Sequence, residues 1–298
     1  VELRDIEIFL TLAEELHFGK AAQRLYLSTA RVSQSIKNQE RRIGGLLVDR
    51  SNPRGVQLTP LGQQLLTELK PAYREVLSAI EHARQAAAGI SGVLRVSMIG
   101  YNAYDYRPLW DTFRRRHPMW ELRVRSSEFS DQFGPLHRGE ADIVVAWLPV
   151  EEPGLAVGPI MSAEPMVAIM PVDHELAGEK SISMEDFGDR GVFAPSDPMP
   201  DYWEDAVSPF YTPRGRPIDR VTPISTLEDI LTTASTSGTF TSGMSHIARY
   251  YNRPGVSYVP IADSHLVRWA PVWRSDSETA QIRAFTAVIR ELGTLQPH

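Results

Sequence analysis

The stretch 5–43, DIEIFLTLAEELHFGKAAQRLYLSTARVSQSIKNQERRI, decides how the N-terminal part of this chain folds. Ile6, Phe9, Leu10, Ala13 and Leu16 recur at spacings of three and four, which predicts one apolar stripe of a helix over 5–16. Phe18-Gly19 interrupts it, and Ala21, Ala22 and Leu25 predict a short second helix. Ser28 then offers an N-cap for a third helix running to about Ile43. In that helix Val32, Ile36 and Ile43 face inward, leaving Arg31, Ser33, Gln34, Lys37, Asn38 and Arg41 outside, side chains suited to phosphates and base edges. Two helices joined by a tight Tyr26-Leu27 turn, with the polar face on the second, describe a helix-turn-helix. Period alone also fits a small helical bundle with a solvated basic face. What favours the first reading is the segment Asp49–Thr59, where Asn52-Pro53-Arg54-Gly55 is a turn between short extended runs, a wing carrying Arg50 and Arg54 toward a duplex backbone.

Charge supports that division. The 298 residues carry a net charge of −6, yet 17–54 hold eight Lys or Arg against Glu40 and Asp49. A compact basic patch on an otherwise acidic body is expected when one small module meets phosphates and the remainder does not. A composition 42% hydrophobic permits a substantial core and two or three compact units. No apolar run approaches the roughly 20 residues that span a bilayer, and Glu2, Arg4, Asp5 and Glu7 stand where a signal peptide would be apolar, so a cytoplasmic location off the membrane is expected. The absence of cysteine excludes disulfides, Cys-based zinc sites and a thiol nucleophile.

Taken together, these residues resemble the LysR-type transcriptional regulators. The resemblance rests on Phe9 with Ala13-Glu14-Glu15, on His17-Phe18-Gly19-Lys20-Ala21-Ala22-Gln23-Arg24-Leu25, on Ser28, Ser33, Ile36, Glu40, Gly44, Leu47 and Arg50, and on Leu58-Thr59-Pro60-Leu61-Gly62. It implies an all-α-type winged helix-turn-helix over 1–58, whose contacts to double-stranded DNA would come from Ser28, Thr29, Arg31, Ser33, Gln34, Lys37, Arg41, Arg50 and Arg54. This chain departs from the family pattern at Thr29-Ala30, where Gln-Pro is usual, and at Gln34, where Arg is frequent, so base preference does not transfer. Gln39 in place of Leu, with the small Gly45 and Val48, predicts looser packing between the third helix and the wing.

Thr59-Pro60 reads as N-cap and first turn of a long helix ending before Gly89, giving a linker over 59–90. Leu61, Leu65, Leu69, Val76, Ile80, Ala83 and Ala87 form a stripe near a 3.5 spacing that one chain cannot cover. The resemblance implies antiparallel pairing of two such helices into a homodimer, assembled further into a homotetramer, and it is compatible with contact to RNA polymerase. Pro71 predicts a kink or a brief break. A solvated helix in a monomer is the other reading, and Leu69, Val76 and Ile80 argue against it.

From Gly92 the rhythm becomes short β-rich runs alternating with helical segments. Strands are expected at Val93–Ile99, Glu121–Arg125, Asp142–Trp147, Met166–Met170, Gly191–Ala194, Thr239–Thr241 and Ser257–Pro260. Helices are expected at Arg107–Arg116, Ser130–Arg138, Asp201–Pro209, Thr226–Ser235 and near Glu278–Leu292, giving an α/β arrangement with largely parallel sheets. The resemblance implies a two-lobed, periplasmic-binding-protein-like effector domain over 91–298, with lobe I at 92–162 and 268–298 and lobe II at 163–267. Ligands of such sheets bind beyond the carboxyl ends of strands. Tyr101, Asn102, Phe129, Ser130, Trp147, Ser196 and Thr241 are therefore the candidates for a small-molecule effector.

Enzymatic readings find little support. Gly238-Thr-Phe-Thr-Ser-Gly243-Met244-Ser245 imitates a phosphate-binding loop but places Met244 where the lysine belongs. The eight histidines show no helical ligand pair, and there is no nucleophile elbow or dinucleotide fingerprint, so neither metal nor cofactor is expected. Two alternatives remain open at this point: an α/β solute-binding or catalytic protein whose N-terminal helices only mediate assembly, and a regulator without an effector.

Overall fold

The computed structural model describes residues 2–50, 56–87, 91–196 and 199–295. The chain divides into two compact units, Val1–Gly89 and Ile90–His298.

In the first unit, α1 (Leu3–Glu15), α2 (Phe18–Arg24) and α3 (Thr29–Ile43) are followed by a two-stranded antiparallel hairpin, β1 (Val48–Asp49) and β2 (Gln57–Leu58), and by α4 (Pro60–Ala87). Each helix start has a local cause. The Ser28 hydroxyl accepts from the Arg31 amide at 3.2 Å, and His17 caps α2 by accepting from the Gly19 and Lys20 amides at its Nδ1. The Thr59 hydroxyl accepts from Gly62 at 3.0 Å and donates to the Leu46 carbonyl at 2.6 Å, tying the start of α4 to the approach to the hairpin. Gly62 is needed there, because a Cβ would lie 2.0 Å from the Leu47 carbonyl oxygen.

The inward stripe of α1 differs from the expected one. Ile8, Phe9 and Leu12 are fully buried, whereas Ile6 and Ala13 are half-buried and Leu16 is exposed. The cause is that α1 packs against α2 and α3 on one side and α4 on another, so a wider arc is covered. Val32 and Ile36 of α3 are buried as expected, but Ile43 in its last turn is 42% exposed. Gln39 does not loosen the packing: it is buried and donates to the Asp5 carbonyl at 2.9 Å and to Ser35 Oγ at 3.3 Å, so polar bonds replace an apolar contact. The helix α4 runs unbroken through Pro71, which is exposed, so its lost donor and displaced carbonyl cost less than in a core. No described helix is long and apolar enough to cross a membrane.

The second unit begins with β3 (Gly92–Met98), α5 (Arg107–Arg116), β4 (Trp120–Ser126), α6 (Gly134–His137), β5 (Ile143–Trp147), β6 (Leu155–Val157) and β7 (Ser162–Glu164). It continues with β8 (Met166–Pro171), β9 (Gly191–Pro195), α7 (Asp201–Asp205), β10 (Asp219–Ile224), α8 (Leu227–Ala234), β11 (Thr241–Met244), α9 (His246–Tyr250) and β12 (Val256–Pro260), then returns through β13 (Val267–Arg274) and α10 (Ala280–Leu292). One sheet has the order β4-β3-β5-β13-β6, with β7 also on β13. A second is β11-β8-β12, accompanied by the parallel pair β9-β10. The chain passes between these sheets twice, between β7 and β8 and between β12 and β13.

The expectation of largely parallel sheets needs correction. Only β4-β3-β5 and β9-β10 are parallel, while β13 runs antiparallel to its three partners and β8 lies antiparallel between β11 and β12. The expected helix 130–138 is also interrupted. A short 3-10 turn, Phe129–Asp131, is separated from the four-residue α6, so no long helix N-terminus forms at Ser130. The strand expected at Thr239–Thr241 starts at Thr241, after the left-handed Gly238.

Candidate functional site

Thr29, Arg31, Gln34, Lys37 and Arg41 of α3 are exposed, and the last four lie three or four residues apart, on one side of the helix, with Ser33 half-buried beside them. Gln34 Nε2 donates to Asn38 Oδ1 at 3.0 Å. Arg31, Lys37 and Arg41 form no ion pair with any described residue, so their charge is available to a partner. Other cations of the basic stretch are engaged: Arg24 pairs with Glu14 and Glu15.

Arg50 is engaged as well. It donates to Glu40 Oε2 at 2.9 Å, and its guanidinium lies 5.5 Å from the Phe18 ring centroid. The other Glu40 oxygen accepts from the amides of Leu47 (3.1 Å) and Val48 (3.3 Å). One buried carboxylate thus joins α3 to the hairpin, a link that charge counting does not reveal. Arg54 and the Asn52-Pro53-Arg54-Gly55 turn lie outside the described residues.

In the second unit a cavity of about 110 Å³ opens where the carboxyl ends of β3 and β5 face β11 and the loop after β9. Tyr101, Phe129, Trp147 and Thr241 are in its wall. The Tyr101 ring packs edge-on against Tyr251 at 5.4 Å, and desolvation, with the Glu128 charge nearby, pushes its phenol up to about 12. Trp147 stacks on Trp203 of α7 at 3.6 Å, and each indole N–H donates to the other's backbone carbonyl at 3.1 Å.

The structure does not bring Asn102, Ser130 or Ser196 into the wall. Asn102 is fully buried outside the wall, near the Tyr106 hydroxyl but without a well-formed hydrogen bond to any described residue. Ser130 is half-buried in the 3-10 turn, and Ser196 is exposed, with its amide bonded to the Ile224 carbonyl at 2.8 Å.

Most of the wall was not anticipated. Phe193, Ile224, Leu227 and Ile247 are apolar and buried, and in a sequence they cannot be told from ordinary core. His246 is a further wall residue that the sequence reading does not single out. Its position just after the Gly243-Met244-Ser245 strand end was the available signal. Its Nδ1 lies 2.9 Å from Glu164 Oε1, which also accepts from Trp269 Nε1 at 2.7 Å. The other Glu164 oxygen accepts from the His246 amide and the Ser245 hydroxyl. Burial alone would raise this carboxyl, yet the His246 and Ser245 bonds hold it below its ordinary value. Among the described residues no cluster of His, Asp or Glu has the makings of a metal site.

Comparison with known proteins accords with both regions. Residues 3–63 match the profile of the bacterial regulatory helix-turn-helix proteins of the lysR family, and residues 87–294 match that of the LysR substrate binding domain. The transcriptional regulator AlsR of Bacillus subtilis is 33% identical over 193 residues, 64% of this chain and 63% of AlsR, so the match spans less than two thirds of that relative. ShiR of Corynebacterium glutamicum is likewise 33% identical over 193 residues, 64% of this chain and 65% of ShiR. IlvR of Caulobacter vibrioides is 26% identical over 99% of both chains. Among solved structures, CbnR, a LysR family transcriptional regulator, superimposes with a TM-score of 0.73 over 98% of this chain and 99% of its own, at 17% identity, which speaks for the fold. With two family profiles accounting for nearly the whole chain, it belongs to the LysR family of bacterial helix-turn-helix regulators.

Proposed function

We propose that this protein is a transcription regulator that reads duplex DNA with α3 and is controlled by a small molecule held in the cavity of its second unit. The observation that carries the first part is the row Arg31, Lys37 and Arg41, exposed on one face of a capped helix and without an ion pair among the described residues, in a chain whose N-terminal profile is that of a regulatory helix-turn-helix. CbnR, similar in fold, is known in complex with its target DNA. Such a protein works in the cytoplasm, where the chromosome is. In this reading 1–58 bind DNA, 59–90 link and dimerise, and 91–298 sense the effector, with lobes at 92–162 plus 268–298 and at 163–267. Exposed Val76, Leu77 and Ile80 on α4 support a homodimer through that helix. A homotetramer and contact with RNA polymerase extend the same reading.

The effector contacts assigned to Tyr101, Phe129, Trp147 and Thr241 are supported by their place in one cavity wall. A ligand there changes DNA binding only in so far as it prefers one arrangement of the protein over another.

The test is the salt dependence of operator binding. Arg31→Ala and Lys37→Ala should each weaken binding to every duplex and flatten the log–log salt slope by about 0.9. Gln34→Ala should keep the slope and alter the ranking of operator sequences. A salt-independent affinity in the wild type would overturn the reading.

A further inference from the structure

The cavity wall is largely apolar, with a few polar side chains. His246 is in its wall and wholly buried, and its Nε2 has no hydrogen-bond partner. Its Nδ1 is committed to Glu164, which does not reach the wall. Asn102, also wholly buried, adjoins the same place; its side chain approaches the Tyr106 hydroxyl but makes no well-formed hydrogen bond with any described residue. A Cβ on wall residue Gly100 would lie 2.7 Å from Asn102 Oδ1 and 3.1 Å from the Trp269 ring, and that indole packs 5.8 Å from the His246 imidazole. A buried polar group left unmatched is costly, so His246 Nε2 marks a place where a ligand's polar atom gains most.

The charge of that ligand follows from the wall. No Lys or Arg is among the described residues lining it. Its one carboxylate, Glu204, is already paired with Arg220 at 2.6 Å. An anion entering would meet Glu204 and, behind His246, Glu164, with no free cation to offset them. With Nδ1 engaged by Glu164, Nε2 is the ring atom left for a ligand, and a hydroxyl, which can both donate and accept, is the uncharged group that matches it. The cavity, about 110 Å³, is of the order of the apolar cavity of about 150 Å³ that admits benzene.

We propose that the effector is a small uncharged molecule, one ring or a short branched chain, that carries a hydroxyl hydrogen-bonded to His246 Nε2. This rests on the reading of the cavity as the effector site. Full-length protein titrated calorimetrically with phenol, toluene and benzoate tests it, because the three share a ring and differ in the polar group. Phenol should bind at least tenfold more tightly than either of the others. Val207→Trp, which places a large ring at a half-buried wall position, should abolish that binding, and His246→Phe should erase the preference for phenol over toluene. If benzoate or toluene equals phenol while Val207→Trp still abolishes binding, the hydroxyl assignment falls and the cavity reading stands. If Val207→Trp folds and leaves binding untouched, or none of the three probes binds, both fall. Should either variant fail to fold, the order of the three probes on the wild type decides.

Discussion

Glu40 is a carboxylate in the helix proposed to approach a polyanion, and its position explains why it is tolerated there. It faces away from the exposed row, is 6% exposed, and satisfies two hairpin amides and Arg50 at once. Glu40→Ala should therefore cost about 1–3 kcal/mol for each buried amide left unpaired, whereas Arg50→Ala should cost under about 1 kcal/mol, since that side chain is partly solvated. Urea denaturation followed by far-ultraviolet circular dichroism would measure both, and equal costs would refute the division of labour. Asp5 provides a pH-dependent counterpart. The Ser35 hydroxyl donates to its carboxylate at 2.6 Å, the largest cause of a pKa below the ordinary 3.8. Its contribution is thus complete above the unfolded value and is lost as pH falls through the lower folded one. The stability difference between wild type and Asp5→Asn should shrink below about pH 4. Arg50 also marks the limit of reading single residues from sequence. Its charge was visible, but the Glu40 partner ten residues earlier on which that charge is spent was not.

Elements were legible to the degree that their determinants are local. Ser28, Thr59-Pro60 and the 107–116 periodicity each act within a turn or two, and the corresponding helices begin within two residues of expectation. β13 escaped notice because Pro271 stands in the middle of a strand between two others, a place where proline removes a ladder donor and is usually excluded. The interrupted segment 129–138 escaped because Gly134-Pro135 restarts the helix at a point the apolar spacing does not mark. The helix α4 is legible in both senses. Leu65, Leu66, Leu69 and Tyr73 pack on the first unit's core, and Val76, Leu77 and Ile80 further along are 40–47% exposed. If a second copy covers that segment, Leu77→Glu with Ile80→Glu should turn the dimer into a monomer in sedimentation equilibrium. The first unit's helix content should be unchanged, because neither side chain belongs to its core. A dimer that persists would locate the pairing elsewhere.

On the scale of the whole molecule, all six tryptophans lie beyond residue 109, so indole emission from the full chain reports on the second unit alone. Within that unit the stack of Trp147 on Trp203 joins the end of β5 to α7 beside the cavity, and the two reciprocal hydrogen bonds leave neither indole N–H unsatisfied. Neither residue alone suggests this pairing, since 56 positions separate them and Trp203 lies on α7, between β9 and β10. Stack and hydrogen bonds can be separated by two substitutions. Trp203→Phe keeps a ring in the stack but removes one donor, at a cost of about 1–3 kcal/mol for the unpaired Trp147 carbonyl. Trp203→Ala also removes the ring from a fully buried site and should cost about 3–5 kcal/mol. Urea unfolding followed by the emission of the remaining tryptophans would rank them. If the phenylalanine variant were as unstable as the alanine one, the hydrogen bonds rather than the stacked rings would hold this side of the cavity closed. The phenol affinity of the phenylalanine variant should then fall along with its stability.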